Sequence, residues 1–293
     1  MYELVNVKGN SFYIESPAKI GLYKLSDTEV CLIDSGNDKD AGKKIKKILD
    51  ENGWTLKAIY NTHSNADHIG GNKFLQDRTE CKIYAPGIEC DFTNHTVLEP
   101  AFLYGGYPCK DLRHKFLMAQ ESIAQNLTPD ALPEGFEMIN LPGHFFDMVG
   151  FKTPDNVMYL ADCLSSRTTL EKYQISVLYD VEAYLKTLED IKTLKADIFV
   201  PSHAEQTEDI TELAQFNIDK VYEISEKILE ICKTPVNFEN LLKRLFDEYS
   251  LKMTFEQYIL VGSTVKSYLS WLKDNEKLIV EFKNNMLLWK TIV

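Results

Sequence analysis

The sequence predicts an α/β layered fold over its larger N-terminal part, followed by a smaller helical unit. Two observations predict this. Up to about residue 205, short β-branched and aromatic runs alternate with helical spacing, with Gly, Asn, Asp and Ser between them. From about residue 209 the pattern changes to three helical stretches closed by two strands. The expected boundary gives one domain over 1–207 and a second over 208–293.

The elements follow in order. "NSFYIES", "IGLYKLS" and "EVCLIDSG" read as strands, and the last is apolar enough to be buried on both faces. "DAGKKIKKILDENGW" places apolar residues at helical spacing and ends at a Gly. "LKAIYNT" is a strand whose end delivers His63; a helix is expected over 67–75, and "CKIYAP" is the next strand. Residues 88–132 are less regular and include "AFLYGGYPCKDLRHKFLMAQ". So long an irregular excursion in a compact domain reads as an active-site flap, and its aromatic content speaks against disorder. "FEMINLPGH", "MVGFKTPDNVMYLADCL" and "ADIFVPSH" alternate strand and turn. Three helices are then expected, in "DITELAQFNIDKVYEISEKILEICK" (broken at Pro235), "NFENLLKRLFDEYS" and "TFEQYILVGSTVKSYLSWLKDN". "KLIVEFKNNMLLWKTIV" closes the chain as two strands around "KNN", where Asn accepts the positive φ of a tight turn. Three helices and a hairpin is the order of a winged helix.

Charge and composition limit the function. The formal net charge of -12 offers no bulk positive field for nucleic acid or anionic membrane. Residues 208–293 hold 11 Lys and Arg against 14 Asp and Glu, and the third helical stretch has no basic cluster for phosphates. Nucleic acid is therefore not the expected partner, with RNA left open. No apolar run approaches the roughly 20 residues of a membrane helix. The start "MYELVNVKGN" has no basic region followed by an apolar stretch, so no signal peptide is visible. Six cysteines without a CxxC pair fit reduced thiols. A cytoplasmic protein with no membrane partner is expected, and a homodimer stays open.

The chemistry concentrates in "NTHSNADHIGGN", residues 61–72, which holds His63, Asp67 and His68. His144 stands in "LPGH", Asp162 in "LADC" and His203 in "VPSH". Each follows an apolar strand-like run, and strand ends of a layered sheet share one edge. A single His at a strand end is more often structural than a ligand. Here four of the chain's six histidines fall in one series, while His95 and His114 lie in the flap without such context and read as ordinary residues. Imidazole with carboxylate suits Zn²⁺, as one or two ions, with iron or manganese as alternatives. A carboxylate such as Asp162 can bridge two ions.

In this order, "HSNADHIGG", "LPGH", "LADC" and "PSH", with "LIDSG" at 32–36, resemble the metallo-β-lactamase superfamily. Its hallmark is H-x-H-x-D-H, then a His after a Gly, an Asp and a His. The resemblance covers roughly the first 205 residues. It implies a four-layer αβ/βα sandwich with metals at one edge. It implies a first metal position at His63, residue 65 and His144, a second at Asp67, His68 and His203, and Asp162 as the bridge. Asn65 breaks the hallmark, because an amide oxygen is a weaker ligand than imidazole. Either Asn65 or a water completes the first position and two ions bind, or one ion dominates. The C-terminal part resembles the winged-helix tail of a branch that includes endoribonuclease-like members; its acidity favours a docking or pocket-covering role.

Two further departures stand near the motifs. Phe145 and Phe146 follow His144 where the family usually has small residues, and they either shape the pocket or pack the core. Cys163 follows Asp162, and strand alternation turns it the other way, as a buried structural thiol. The resemblance implies a metal-dependent hydrolase that directs a metal-activated water at an ester-like bond: thioester, lactone or phosphodiester. Asp67 would orient or deprotonate that water, and a small ester-like molecule would be the substrate. Tyr104, Tyr107, Lys110 and Arg113 of the flap are candidate contacts for an anionic substrate. The alternatives are an iron-dependent oxidoreductase on the same ligands, or a non-catalytic metal-dependent sensor, against which the acidic tail counts.

Overall fold

The structure, a computed structural model, describes residues 2–292. Four strands open it: β1 (Leu4–Lys8), β2 (Ser11–Ile14), β3 (Ile20–Lys24) and β4 (Glu29–Ile33). Then come α1 (Lys39–Glu51), β5 (Thr55–Tyr60), α2 (Ala66–Ile69), α3 (Asn72–Thr79), β6 (Lys82–Ala85), α4 (Gly87–Asn94), α5 (Leu98–Tyr104) and β7 (Ala124–Asn126). These strands form a seven-stranded sheet in chain order, antiparallel up to β4 and parallel from β4 to β7. A second sheet contains β8 (Glu137–Asn140), β9 (Val149–Lys152), β10 (Val157–Ser165) and, after α6 (Arg167–Tyr173) and α7 (Val181–Ile191), β11 (Ile198–His203). Its order is β11-β10-β9-β8. The chain ends in α8 (Thr211–Ile231), α9 (Phe238–Glu248), α10 (Phe255–Asp274) and the hairpin β12 (Leu278–Lys283) and β13 (Met286–Thr291).

Side-chain alternation along the strands makes the layers. On β4, Val30 and Leu32 pack with Ile45 and Leu49 of α1, while Cys31 and Ile33 face the second sheet. On β10, Val157 and Tyr159 face the first sheet, while Met158 and Leu160 pack with Leu188 of α7 and Val221 of α8. Three apolar cores therefore separate helix, sheet, sheet and helix, the αβ/βα sandwich. The helix-side core runs on without a break into α8, α9 and α10, through Leu241, Val265 and Leu269. The expected boundary at 207/208 falls in the turn between β11 and α8. Asn284 and Asn285, at φ 52° and 61°, make the turn between β12 and β13. Among the described residues no helix is long and apolar enough to cross a membrane.

Two expectations are corrected. The helix expected over 67–75 is two short helices that meet at Gly70 and Gly71. A Cβ on Gly70 would lie 2.3 Å from the Asn37 carbonyl carbon, so this close approach, and not helical continuity, decides the local chain path. The region 88–132 is not merely irregular: it contains α4, α5, a 3-10 turn at Lys110–Leu112 and the edge strand β7. Its helices are too short for a hydrophobic period to reveal them. Leu103, Leu112 and Leu117 of this flap pack around Ile259 of α10.

Candidate metal centre

Strand ends, the short helix α2 and β10 bring all six expected residues to one edge. His63 follows β5, Asp67 and His68 lie on α2, His144 follows β8, Asp162 is on β10 and His203 ends β11. A register shift in β10, with Ala161 in the left-handed region at φ 52°, interrupts the alternation just before Asp162. After this break Cys163 turns into the helix-side core as a fully buried thiol, so it is not part of the cluster. Gly143, at φ 119°, lets the His144 loop pass α7; a Cβ there would lie 2.3 Å from the Tyr184 backbone nitrogen.

The cluster has two halves that share Asp162. One holds Asp67, His68, Asp162 and His203, the other His63, His144 and Asp162, with potential ligand atoms within 4.8 Å of one another in each. Nε2 of His68 is 3.1 Å from Asp162 Oδ1, and Nε2 of His203 is 3.1 Å from Asp162 Oδ2 and 3.4 Å from Asp67 Oδ2. His144 Nε2 lies 3.8 Å from Asp162 Oδ2.

Every imidazole turns Nε2 inward because an oxygen engages its Nδ1. His68 Nδ1 is 2.8 Å from Asp34 Oδ2, His144 Nδ1 is 3.0 Å from the Val177 carbonyl, and His203 Nδ1 is 2.9 Å from the Pro17 carbonyl. His63 is held through a relay. The Thr62 hydroxyl donates to Asp34 Oδ2 at 2.8 Å, so its oxygen accepts from Nδ1–H of His63 at 2.9 Å. One buried carboxylate thus orients two histidines, the arrangement that holds metal-ligating imidazoles in the required tautomer. Asp34 also accepts the Thr62 backbone N–H, at 2.8 Å.

The donor set fits a cation. Nε2 of His63, Nε2 of His68 and Oδ1 of Asp162 are buried and make no properly directed hydrogen bond. Such atoms are rare in folded proteins, and convergent ones of this chemistry are what a metal satisfies. Burial pushes the pKa of His63 and His144 down, which keeps them neutral. Burial acts the same way on His68 and His203, but the facing carboxylates outweigh it: His68 is raised well above the usual value and His203 to about 10. Burial opposes ionisation of Asp67 and Asp162 too, yet the neighbouring histidines hold both below the carboxylate range.

Asn65 sits at the rim of the His63 half. Its amide nitrogen donates to Glu99 Oε1 at 2.8 Å, which turns its carbonyl oxygen to 3.1 Å from His144 Nε2. Sequence reasoning missed Glu99 and its neighbour Glu89. Glu89 accepts from the Ser64 backbone N–H at 3.0 Å and from the Asp147 N–H at 2.9 Å, so it ties the His63 loop to the His144 loop. Both are buried acids in the first turns of α4 and α5, where a Glu normally reads as surface decoration of the helix dipole. The Asp34 relay was missed as well, although "LIDSG" marks its position.

Other expectations sort by distance from this edge. Phe145 is 1 % exposed and packs edge-on to Phe92, Phe102 and Phe146, so it is core behind His63, while Phe146 is half-buried against Tyr179. His114 lies 3.5 Å from Glu256 of α10, away from the cluster. A cavity of about 480 Å³ opens from Asn65, Asp67, His144 and Asp162 toward α10, and Tyr104, Tyr107, Lys110 and Arg113 do not line it. Tyr107 and Arg113 instead line a separate surface depression.

Comparison with known proteins agrees with the fold. Residues 9–203 match the family described as the Metallo-beta-lactamase superfamily. A 49-residue segment is 43% identical to a hydroxyacylglutathione hydrolase of Erythrobacter litoralis (strain HTCC2594), covering 17% of this chain and 20% of that protein. The chain thus matches only about a fifth of that relative's length. A beta-lactamase domain protein from Burkholderia ambifaria superposes with a TM-score of 0.71 at 16% identity, over 99% of this chain and 94% of that one. A metallo-beta-lactamase family protein from Thermus thermophilus does so with a TM-score of 0.71 at 15% identity, over 99% and 97%. At these identities the likeness to the solved structures is one of fold.

Proposed function

The chain belongs to the metallo-β-lactamase superfamily, and from that premise we propose that it is a metal-dependent hydrolase of an ester-like bond. The ligands are His63, Asp67, His68, His144, Asp162 and His203, and the metal is zinc. The observation that carries this reading is the set of four imidazoles, each with Nδ1 engaged and Nε2 turned toward Asp162 or its immediate neighbours. A structural cluster would have satisfied such atoms internally; this one leaves Nε2 of His63, Nε2 of His68 and Oδ1 of Asp162 to share with an ion.

A bound divalent ion would supply Lewis-acid polarisation and a water of lowered pKa. The chain's own residues do the rest. Asp67 lines the cavity and is the group placed to accept a proton from an attacking water and to hold its orientation. Asp34 and Thr62 hold His63 and His68 in one tautomer throughout. The named relative's hydrolysis of an acylglutathione supports the ester-like class. The six cysteines are free, and five of them are buried, which supports a reducing compartment such as the cytoplasm.

The test is a panel of thioesters, lactones, phosphodiesters, RNA and β-lactams, given to protein stripped by chelation and reloaded with Zn²⁺, Mn²⁺ or Fe²⁺. Hydrolysis of one ester-like class that disappears on chelation and returns with metal is expected. No hydrolysis with any metal, together with oxygen consumption by the iron form, would replace this reading with the oxidoreductase.

A further inference from the structure

We infer that the cavity beside the cluster takes the apolar acyl arm of a neutral carbonyl substrate, an ester, thioester or lactone, and that α10 limits the length of that arm. This rests on the hydrolase reading and narrows it. The cavity, about 480 Å³, is within the range for small ligands. Its reacting end is formed by Asn65, Asp67, His144 and Asp162. Beyond it the wall is Leu103 and Leu117 of the flap, Val177 before α7, and Leu260 and Val261 of α10. An apolar chain gains about 0.8 kcal/mol for each methylene buried against such a wall.

Charge narrows the acyl arm. Along the wall beyond the cluster no Lys or Arg is present. A carboxylated acyl group would bury its charge there with no cation to receive it. The polar groups on the wall are neutral: Ser165, Ser176 and Gln257 offer hydrogen bonds that suit an ester or amide oxygen.

The wall is also fixed in place. The Leu178 backbone N–H donates to Thr264 Oγ1 of α10 at 3.1 Å in a buried setting. Ile259, on the other flank, is 2 % exposed among Leu103, Leu112 and Leu117. The C-terminal unit therefore closes the cavity through α10 and does not hang beside it.

The experiment uses the metal-loaded full chain and N-acetylcysteamine thioesters of acetyl, butanoyl, hexanoyl, octanoyl and succinyl groups, with bis(p-nitrophenyl) phosphate as the anionic arm. We expect kcat/KM to rise about fourfold per added methylene, the ~0.8 kcal/mol of burying one, until the cavity is full. Succinyl should be at least tenfold poorer than butanoyl. Leu260→Trp, which fills the cavity from α10, should lower the octanoyl-to-acetyl ratio at least tenfold, and Leu260→Ala should move the plateau to longer chains. A flat chain-length profile, or preference for succinyl or the phosphodiester, overturns the inference and leaves the hydrolase reading standing. No hydrolysis of any substrate sinks the hydrolase reading instead. The cavity is then read by fluorescence of the neutral probe N-phenyl-1-naphthylamine: saturable binding weakened by Leu260→Trp supports an apolar site, and no binding overturns it.

Discussion

The two halves of the cluster share Asp162 and are otherwise built in opposite ways. The Asp67, His68 and His203 half carries its own second carboxylate, and its histidines have their pKa raised by the acids that face them. The His63 and His144 half has no carboxylate of its own, and burial pushes both imidazoles toward neutrality. Its surroundings carry less charge: the Asn65 amide and two buried glutamates, Glu89 and Glu99, whose pKa burial raises. One half attracts a cation by charge, while the other offers only neutral donors in good geometry. Ions bound to the two halves should therefore differ in affinity, and the difference should follow the acids and not the histidine count.

The largest effect comes from removing what the halves share. Asp162→Ala should abolish metal-dependent activity and lower metal content at both positions, since a charged ligand supplies attraction and geometry together. Elemental analysis and turnover on the same preparation check it. Near-normal turnover with metal retained would end the bridging assignment.

Next comes the group that orients one histidine in each half. In Asp34→Asn the amide oxygen stays on the Thr62 backbone N–H, which can only donate, and the amide N–H faces both the Thr62 hydroxyl and His68 Nδ1, where an acceptor oxygen now stands. His68 would then favour the tautomer with its proton on Nε2, which blocks that ligand atom. Loss of an outer partner of this kind costs about 10- to 100-fold in metal affinity. Titration of stripped protein should show both halves weakened. A loss confined to the His68 half would break the relay to His63.

The contrast between the halves also marks what could be read from the sequence. The clustered His and Asp residues were legible as a series and not singly, because strand ends share an edge whatever the loops do. Glu89 and Glu99 were not, because an acid in the first turn of a short helix looks the same whether it faces solvent or is buried beneath a ligand loop. The break at Gly70 follows from contact with residue 37, about thirty positions away, which no local period contains. The three C-terminal helices were legible from their periods, yet the place of α10 on the cavity wall was not, since periodicity gives a helix its apolar face and not its partner.

A smaller effect should sharpen the contrast by erasing it. Asn65→His places an imidazole at the edge of the half that lacks charge, and imidazole is the stronger donor to Zn²⁺. If Asn65 is what weakens that half, wild type binds one ion much more tightly than the second, and the substitution raises the weaker affinity roughly ten- to a hundredfold. Titration of stripped protein at fixed pH reads this, since His must be neutral to bind. Two equally tight ions in wild type, unchanged in the variant, would mean that the amide oxygen turned inward by Glu99 is already an adequate ligand.

The smallest effect concerns the buried acid that clamps the neutral half. Glu89 is fully buried, and desolvation raises its carboxyl to about 7 against the opposing pull of its Ser64 and Asp147 donors. Its pKa in an unfolded chain is about 4.3. The fold therefore favours the protonated form. The stability this contributes is complete below about pH 4.3 and is lost as pH rises through about 7, a change on the order of 4 kcal/mol at ~1.4 kcal/mol per pH unit. Glu89→Gln cannot ionise. It should start lower at acid pH, because an amide N–H meets one of the donors that the carboxyl now accepts from, and should lose less between pH 5 and 8 than wild type. Denaturant unfolding of the two stripped proteins across that range gives the difference directly, with the titration of every other group common to both. Parallel curves would mean that three well-placed donors keep Glu89 ionised in the fold. The half around His63 would then hold a negative charge close behind its ligands, and the contrast between the two halves would narrow.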